Sequence, residues 1–200
     1  MQLFGIKSFP LFLVFIFTAV ASNAAPVSTL SVSELIEQLK LGGNIIYLRH
    51  ASTELSSVGD DLSSCELQRN LSEKGRDEAR HIGQSIHRLK IPIGDVYSSP
   101  YCRCKDTAKL AFGEFKVDDN LQFSIKKDRE ESAVLGKYLL SVMQQAEVKQ
   151  DNDVFVGHTS NLRDGLGVFP KPEGVAVIFQ KKGTELKFLG MIKPEEWPDK

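Results

Sequence analysis

Two short apolar runs, each leading into a histidine, set the tightest limit on how this chain can fold. Asn44-Ile45-Ile46-Tyr47-Leu48 runs straight into Arg49-His50, and Val154-Phe155-Val156 runs into Gly157-His158. Neither run alternates apolar with polar residues, so each predicts a short strand buried on both faces. Helical patterns lie between the strand-like runs. Residues 32–39 carry apolar side chains at 32, 35, 36 and 39, with Ser31 or Ser33 as a cap and Gly42-Gly43 as a stop. A second helix starts after Ser72, with Ala79, Ile82, Ile86 and Leu89 as its buried stripe. A strand at 95–99 precedes a helix over 101–112, and a strand near 117–124 precedes a helix over 129–146. The tail, 175–179 and 186–192, reads as a hairpin around Lys182-Gly183. This alternation predicts a three-layer α/β/α sandwich around a mostly parallel sheet.

In open sheets of this class, ligands bind beyond the carboxyl ends of the strands. Arg49-His50, Arg103 and His158 all fall at strand ends or just after them, so the fold gathers them at one end of the sheet. Their chemistry is coherent there. A phosphomonoester is a dianion, which a nucleophile can approach only where positive donors offset the charge. Arginine presents a planar fork that chelates phosphate oxygens. A neutral imidazole can attack phosphorus and carry it as a covalent intermediate.

Four ordered blocks carry a family resemblance. Leu48-Arg49-His50-Ala51-Ser52-Thr53 resembles the R-H-G-x-T signature of the histidine phosphatase superfamily, which also contains the phosphoglycerate mutases. Leu71-Ser72-Glu73-Lys74-Gly75 is similar to that family's L-S/T-x-x-G helix start. The stretch from Tyr97-Ser98-Ser99-Pro100 through Arg103 to Thr107-Ala108 resembles its S-S-x-x-x-R-x-x-x-T-A segment, and Val156-Gly157-His158 matches the strand ending in G-H. The resemblance, over residues 44–192, implies a phosphoglycerate mutase-like fold and metal-independent phosphatase activity with no cofactor. It makes His50 the nucleophile, Arg49 and Arg103 the phosphate ligands, and His158 a further donor when protonated. Arg69-Asn70-Leu71-Ser72 resembles the R-x-L-S/T of small phosphohistidine phosphatases in the superfamily, which adds Arg69 to the phosphate ligands. Exported relatives linked to envelope-sugar phosphates suggest a substrate class. Glu130, 27 residues after Arg103 as in the mutase-like branch, is the leading general acid, ahead of Glu131, Glu173 and Glu54. One departure stands out: Ala51 replaces the commoner glycine.

The N-terminus predicts export. Lys7 precedes an eleven-residue apolar run at 11–21, and Ser22-Asn23-Ala24 has the small residues a signal peptidase reads. That run rises only about 16 Å as a helix against a hydrocarbon core of about 30 Å, so cleavage after Ala24 is expected rather than a stable membrane span. Residues 25–200 then make one domain in the periplasm or outside. Cys65, Cys102 and Cys104 would meet an oxidising compartment, where one disulfide and one leftover thiol are expected. Cys65 pairs with Cys102 or Cys104, with Cys102 favoured; three cysteines lacking a histidine at ligand spacing argue against zinc. A net charge of −1 gives no basic field for nucleic acid. The expected partner is a small phosphorylated substrate. The alternative is a phosphate-recognising binding module that keeps the pocket and turns over little.

Overall fold

The structure, a computed structural model, describes residues 29–55, 59, 61–124, 127–147 and 150–199. The leader predicted at 1–24 lies outside the described residues. Eleven elements follow in the order α1 (Val32–Leu41), β1 (Asn44–Arg49), α2 (Glu73–Arg88), β2 (Ile93–Ser98), α3 (Cys102–Phe112), β3 (Lys116–Val117), α4 (Arg129–Gln145), β4 (Asn152–Gly157), α5 (Thr159–Leu166), β5 (Ala176–Lys182) and β6 (Glu185–Ile192).

The six strands form one sheet in the order β3-β2-β4-β1-β5-β6. β1 and β2 both run parallel to β4, β3 runs parallel to β2, and β5 and β6 close one side antiparallel. The expected mostly parallel α/β/α sandwich is therefore present, and the pleat explains its two cores. Ile46, Leu48, Val154, Val156 and Ile178 face one side with Leu35, Leu39, Ile82, Ile86 and Ala108 of α1, α2 and α3. Ile45, Tyr47, Phe155, Val177 and Phe179 face the other with Leu139, Met143 and Leu162 of α4 and α5. Every residue of β1 before Arg49 is buried, which is why the run lacks a polar alternation.

Local chemistry fixes the helix ends. Ser31 and Glu34 form a capping box on α1, Gly42 with φ 72° ends it, and the Ser72 hydroxyl accepts from the Gly75 N–H at the start of α2. One expectation needs correction. The strand near 117–124 shrinks to Lys116–Val117, because the Asp118 carboxylate accepts from the Asn120 N–H and turns the chain into a short 3₁₀ segment, Asp119–Leu121. α5 has no counterpart among the predicted elements, since Thr159–Leu166 shows little apolar pattern although Leu162 is fully buried. Trp197 is buried within the core beneath α1, α2 and α3.

Candidate active site

Register brings the predicted residues together. Arg49 on β1 pairs with Gly157 on β4, and Ser98 on β2 pairs with Val156, so the three central strands end at one level. His50, Ser99 and His158 are the next residues of those three strands. The His50 N–H donates to the Gly157 carbonyl and the Ser99 N–H to the Val156 carbonyl, which extends the ladder into the site itself. The imidazoles of His50 and His158 meet with centroids 5.4 Å apart and planes at 63°.

His50 is 2% exposed. Its Nδ1 lies 3.0 Å from the Ala51 carbonyl oxygen, which can only accept. Nδ1 therefore carries the proton and Nε2 carries the lone pair. Burial first, and then the Arg103 charge, hold its pKa well below the ordinary histidine value, so the ring is neutral near pH 7. Two further bonds lock the segment behind it. The Ala51 N–H donates to the Thr107 hydroxyl at 3.1 Å, and that hydroxyl donates to the Arg103 carbonyl at 2.7 Å. From the other side, the Gly174 N–H donates to the His50 carbonyl at 2.9 Å. Gly174 has φ 78°, a conformation that favours glycine, and a Cβ there would strike Pro194.

Arg103, in the first turn of α3, is the largest fully buried side chain. Its guanidinium sits over the Tyr101 ring at 4.5 Å and the Phe123 ring at 5.4 Å, which offsets part of the cost of burying the charge. The same two rings flank His158, at 5.1 and 5.2 Å. His158 Nε2 lies 2.9 Å from the Ser99 hydroxyl, and the Tyr47 hydroxyl donates to the His158 carbonyl at 2.7 Å. Burial, the neighbouring His50 and Arg103 push the His158 pKa well below the ordinary value. As folded, His158 is therefore a neutral neighbour of His50, and it becomes the further donor only when protonated. The one free thiol, Cys104, lies 3.6 Å from His158 Nε2, and burial pushes its pKa up to about 12. It is a protonated packing group.

Arg49 and Arg69 form the partly exposed rim. Arg49 donates from Nη2 to Glu173 Oε1 at 3.1 Å and from Nη1 to the Pro170 carbonyl at 3.2 Å. Arg69 Nη2 reaches the same Glu173 oxygen at 3.4 Å. Burial lowers the Arg49 pKa, but an arginine so far above neutrality keeps its charge. The other Glu173 oxygen accepts from the Thr53 N–H at 3.0 Å and from the Thr53 hydroxyl at 3.1 Å. Glu130, by contrast, is exposed in the first turn of α4, where Asp128 is the cap. The carboxylate that meets the arginines is Glu173, second-rank in the sequence reading. Cys65 and Cys102 are joined in a disulfide, which ties the segment carrying Arg69 to the start of α3. Gln68 adds to that tie by accepting from the Cys102 N–H at 2.9 Å. A groove of about 780 Å³ borders the cluster through Ser52 and Glu173.

Sequence reasoning missed Thr53, Gln68 and the ring pair Tyr101 and Phe123 as parts of the site. Thr53 and Tyr101 lie inside the recognised blocks and were within reach. Phe123 and Gln68 carry no local signal, because only the tertiary fold brings them to α3.

Residues 45–128 match the family model described as the histidine phosphatase superfamily, branch 1. The mitochondrial serine/threonine-protein phosphatases Pgam5 of Drosophila grimshawi and Drosophila willistoni are each 33% identical over 79 residues, covering 40% of this chain. The match spans 25% of the length of those relatives. Among solved structures, the protein histidine phosphatase SixA complexed with tungstate aligns with a TM-score of 0.56 at 16% identity, over 78% of this chain and 99% of that one. A phosphoserine phosphatase from Entamoeba histolytica, in complex with phosphoserine, aligns with a TM-score of 0.57 at 17% identity, over 78% of this chain and 99% of its own. At these identities the likeness establishes the fold.

Proposed function

We propose, from the match of residues 45–128 to branch 1 of the histidine phosphatase superfamily, that the chain belongs to that family and hydrolyses phosphomonoesters through a phosphohistidine formed on His50. The observation that carries the reading is the tautomer of His50. Its Nδ1–H is committed to the Ala51 carbonyl, so the Nε2 lone pair is available inside a cluster of guanidinium charge.

In the first step, Nε2 attacks phosphorus as the bond from phosphorus to the leaving oxygen breaks. Arg103, Arg49 and Arg69 oppose the charge on the three phosphoryl oxygens. The incoming dianion favours protonation of His158, which would convert it from a neutral neighbour into a donor. A leaving group of low pKa departs as an anion and takes its proton from solvent. In the second step, water attacks phosphorus, the P–N bond breaks, orthophosphate leaves and neutral His50 is restored. The arginines supply the positive charge, so neither step is assigned a metal. Glu130 stands apart from the cluster, which makes substrates with good leaving groups the better fit.

We place the enzyme outside the cytoplasm. The leader pattern at 1–24 and the Cys65–Cys102 disulfide support this, since such bonds persist in oxidising compartments. The phosphoserine and protein-histidine phosphatase structures it resembles point to a small or protein-borne phosphoryl donor. An envelope-sugar phosphate also fits the compartment. The test is hydrolysis of an aryl phosphate by the exported protein, in the presence of a chelator, beside His50→Ala and Arg103→Ala. Turnover by the wild type that both variants lose is expected. A folded wild type that binds orthophosphate but hydrolyses nothing from acid to neutral pH would instead be a phosphate-binding module. N-terminal sequencing of that same protein should begin at Ala25.

A further inference from the structure

We propose that Glu173 is a built-in anion: its carboxylate occupies donors of the phosphate site and is displaced when the phosphoryl group of a substrate arrives. The inference rests on the phosphatase reading above and extends it to how the empty site is kept. Glu173 accepts from four donors at once: Arg49 Nη2, Arg69 Nη2, the Thr53 N–H and the Thr53 hydroxyl, at 3.0–3.4 Å. Two guanidinium groups, a backbone N–H and a hydroxyl form the kind of donor set that holds a phosphate dianion. Two of these donors are the very arginines assigned to the substrate.

Glu173 ties up part of the Arg49 fork. Its Nη1 is engaged by the Pro170 carbonyl, its Nη2 by Glu173, and its Nε is buried without a hydrogen bond among the described residues. A phosphate oxygen that takes the Nη2 donor displaces the carboxylate. Glu173 is also tethered to the nucleophile, because the next residue, Gly174, donates its N–H to the His50 carbonyl. Only its side chain is free to move aside.

The arrangement has two consequences. It offsets one of the two positive charges of the rim arginines, which would otherwise repel each other beside the buried Arg103. It also sets a threshold: an anion must outcompete a covalently attached carboxylate, which favours a dianionic phosphomonoester over chloride or a simple carboxylate. Glu173 is thus a positioning and specificity residue that acts through Arg49 and Arg69.

The experiment is orthophosphate binding by calorimetry to the exported wild type, Glu173→Gln and Glu173→Asp, together with kcat and KM for an aryl phosphate. Removing a competing negative charge at this range should tighten orthophosphate roughly tenfold in Glu173→Gln and lower KM in parallel. Glu173→Asp, which keeps the charge, should stay near the wild type. Unchanged or weaker binding by Glu173→Gln would overturn the proposal and make Glu173 a brace for the arginines. A second readout needs no neutral variant. The carboxyl ¹³C resonance of Glu173 in the wild type, assigned by its absence from Glu173→Asp, should move on saturation with orthophosphate. A resonance that stays in place while phosphate binds also overturns the proposal. A wild type that neither binds orthophosphate nor hydrolyses the aryl phosphate removes the phosphatase reading itself, and this inference with it.

Discussion

At the scale of single residues, the site is built from groups held in their less soluble states. His50 and His158 are buried and neutral beside Arg103, and the sign of that perturbation determines how the fold responds to acid. Both folded-state pKa values lie well below the ordinary histidine value of 6.5, so the unfolded chain binds protons that the folded chain refuses. Their stabilising contribution is complete above pH 6.5 and is lost as pH falls from there towards the folded-state values. Each histidine can cost up to about 1.4 kcal/mol per pH unit across that window. Urea denaturation between pH 7 and pH 5 should therefore give midpoints that fall with pH, and His158→Asn should flatten the slope. A slope unchanged by that substitution would mean that carboxylates elsewhere dominate. Arg103 poses the complementary case. Its charge is buried for chemistry, and replacing a buried ion by an apolar side chain of similar volume is often neutral for stability. Arg103→Met should stay within about 1 kcal/mol of the wild type in stability, yet lose about two to three orders of magnitude in kcat for an aryl phosphate.

At the scale of elements, what positions the two histidines is strand register, and register is also what the sequence displayed most clearly. The unbroken apolar runs before Arg49 and Gly157 belong to strands buried on both faces, and such strands have little freedom to slip. Their parallel pairing puts Arg49 opposite Gly157, and the site follows from that alignment. Elements specified by tertiary contact were not legible. α5 is short and polar, and its place depends on Leu162 finding the far core. Glu173 lies in a loop where one carboxylate looks like any other until the fold brings Arg49, Arg69 and Thr53 around it. Glu130, at the expected spacing from Arg103, looked more informative and sits exposed on α4. Sequence spacing measures distance along the chain, whereas a loop carboxylate is placed by residues distant in sequence. The strand ends also yield a test. A Cβ on Gly157 would overlap the Tyr47 hydroxyl, which donates to the His158 carbonyl at 2.7 Å. Gly157→Ala should cost about 1–3 kcal/mol by overpacking and lower kcat as His158 shifts. A fully active variant of wild-type stability would show that Tyr47 does not hold that strand end.

At the scale of the whole molecule, the two arginine-bearing segments come from opposite ends of a long stretch of chain. Arg69 follows the loop after β1, while Arg103 lies on α3; α2 and β2 separate them in sequence. The Cys65–Cys102 disulfide closes that stretch, with a sequence separation of 37 residues. Its partner Cys102 is immediately followed by Arg103. The crosslink therefore does two things that can be measured separately. Closing a loop of this length removes unfolded-state entropy equivalent to about 4 kcal/mol in the chain-entropy picture, a large share of the roughly 5–15 kcal/mol that holds a typical domain together. It also keeps Gln68 against the Cys102 N–H and Arg69 within reach of Glu173. Reduction of the protein should lower its urea midpoint markedly. Below the temperature at which the reduced form unfolds, reduction should also weaken orthophosphate binding, because Arg69 is then tethered on one side only. Cys65→Ser with Cys102→Ser should reproduce both effects and be insensitive to reductant. If stability falls while phosphate affinity holds, the disulfide serves the fold alone, and the rim is kept by Glu173 and Gln68. If both fall together, oxidation of this cysteine pair is part of how the phosphate site is assembled.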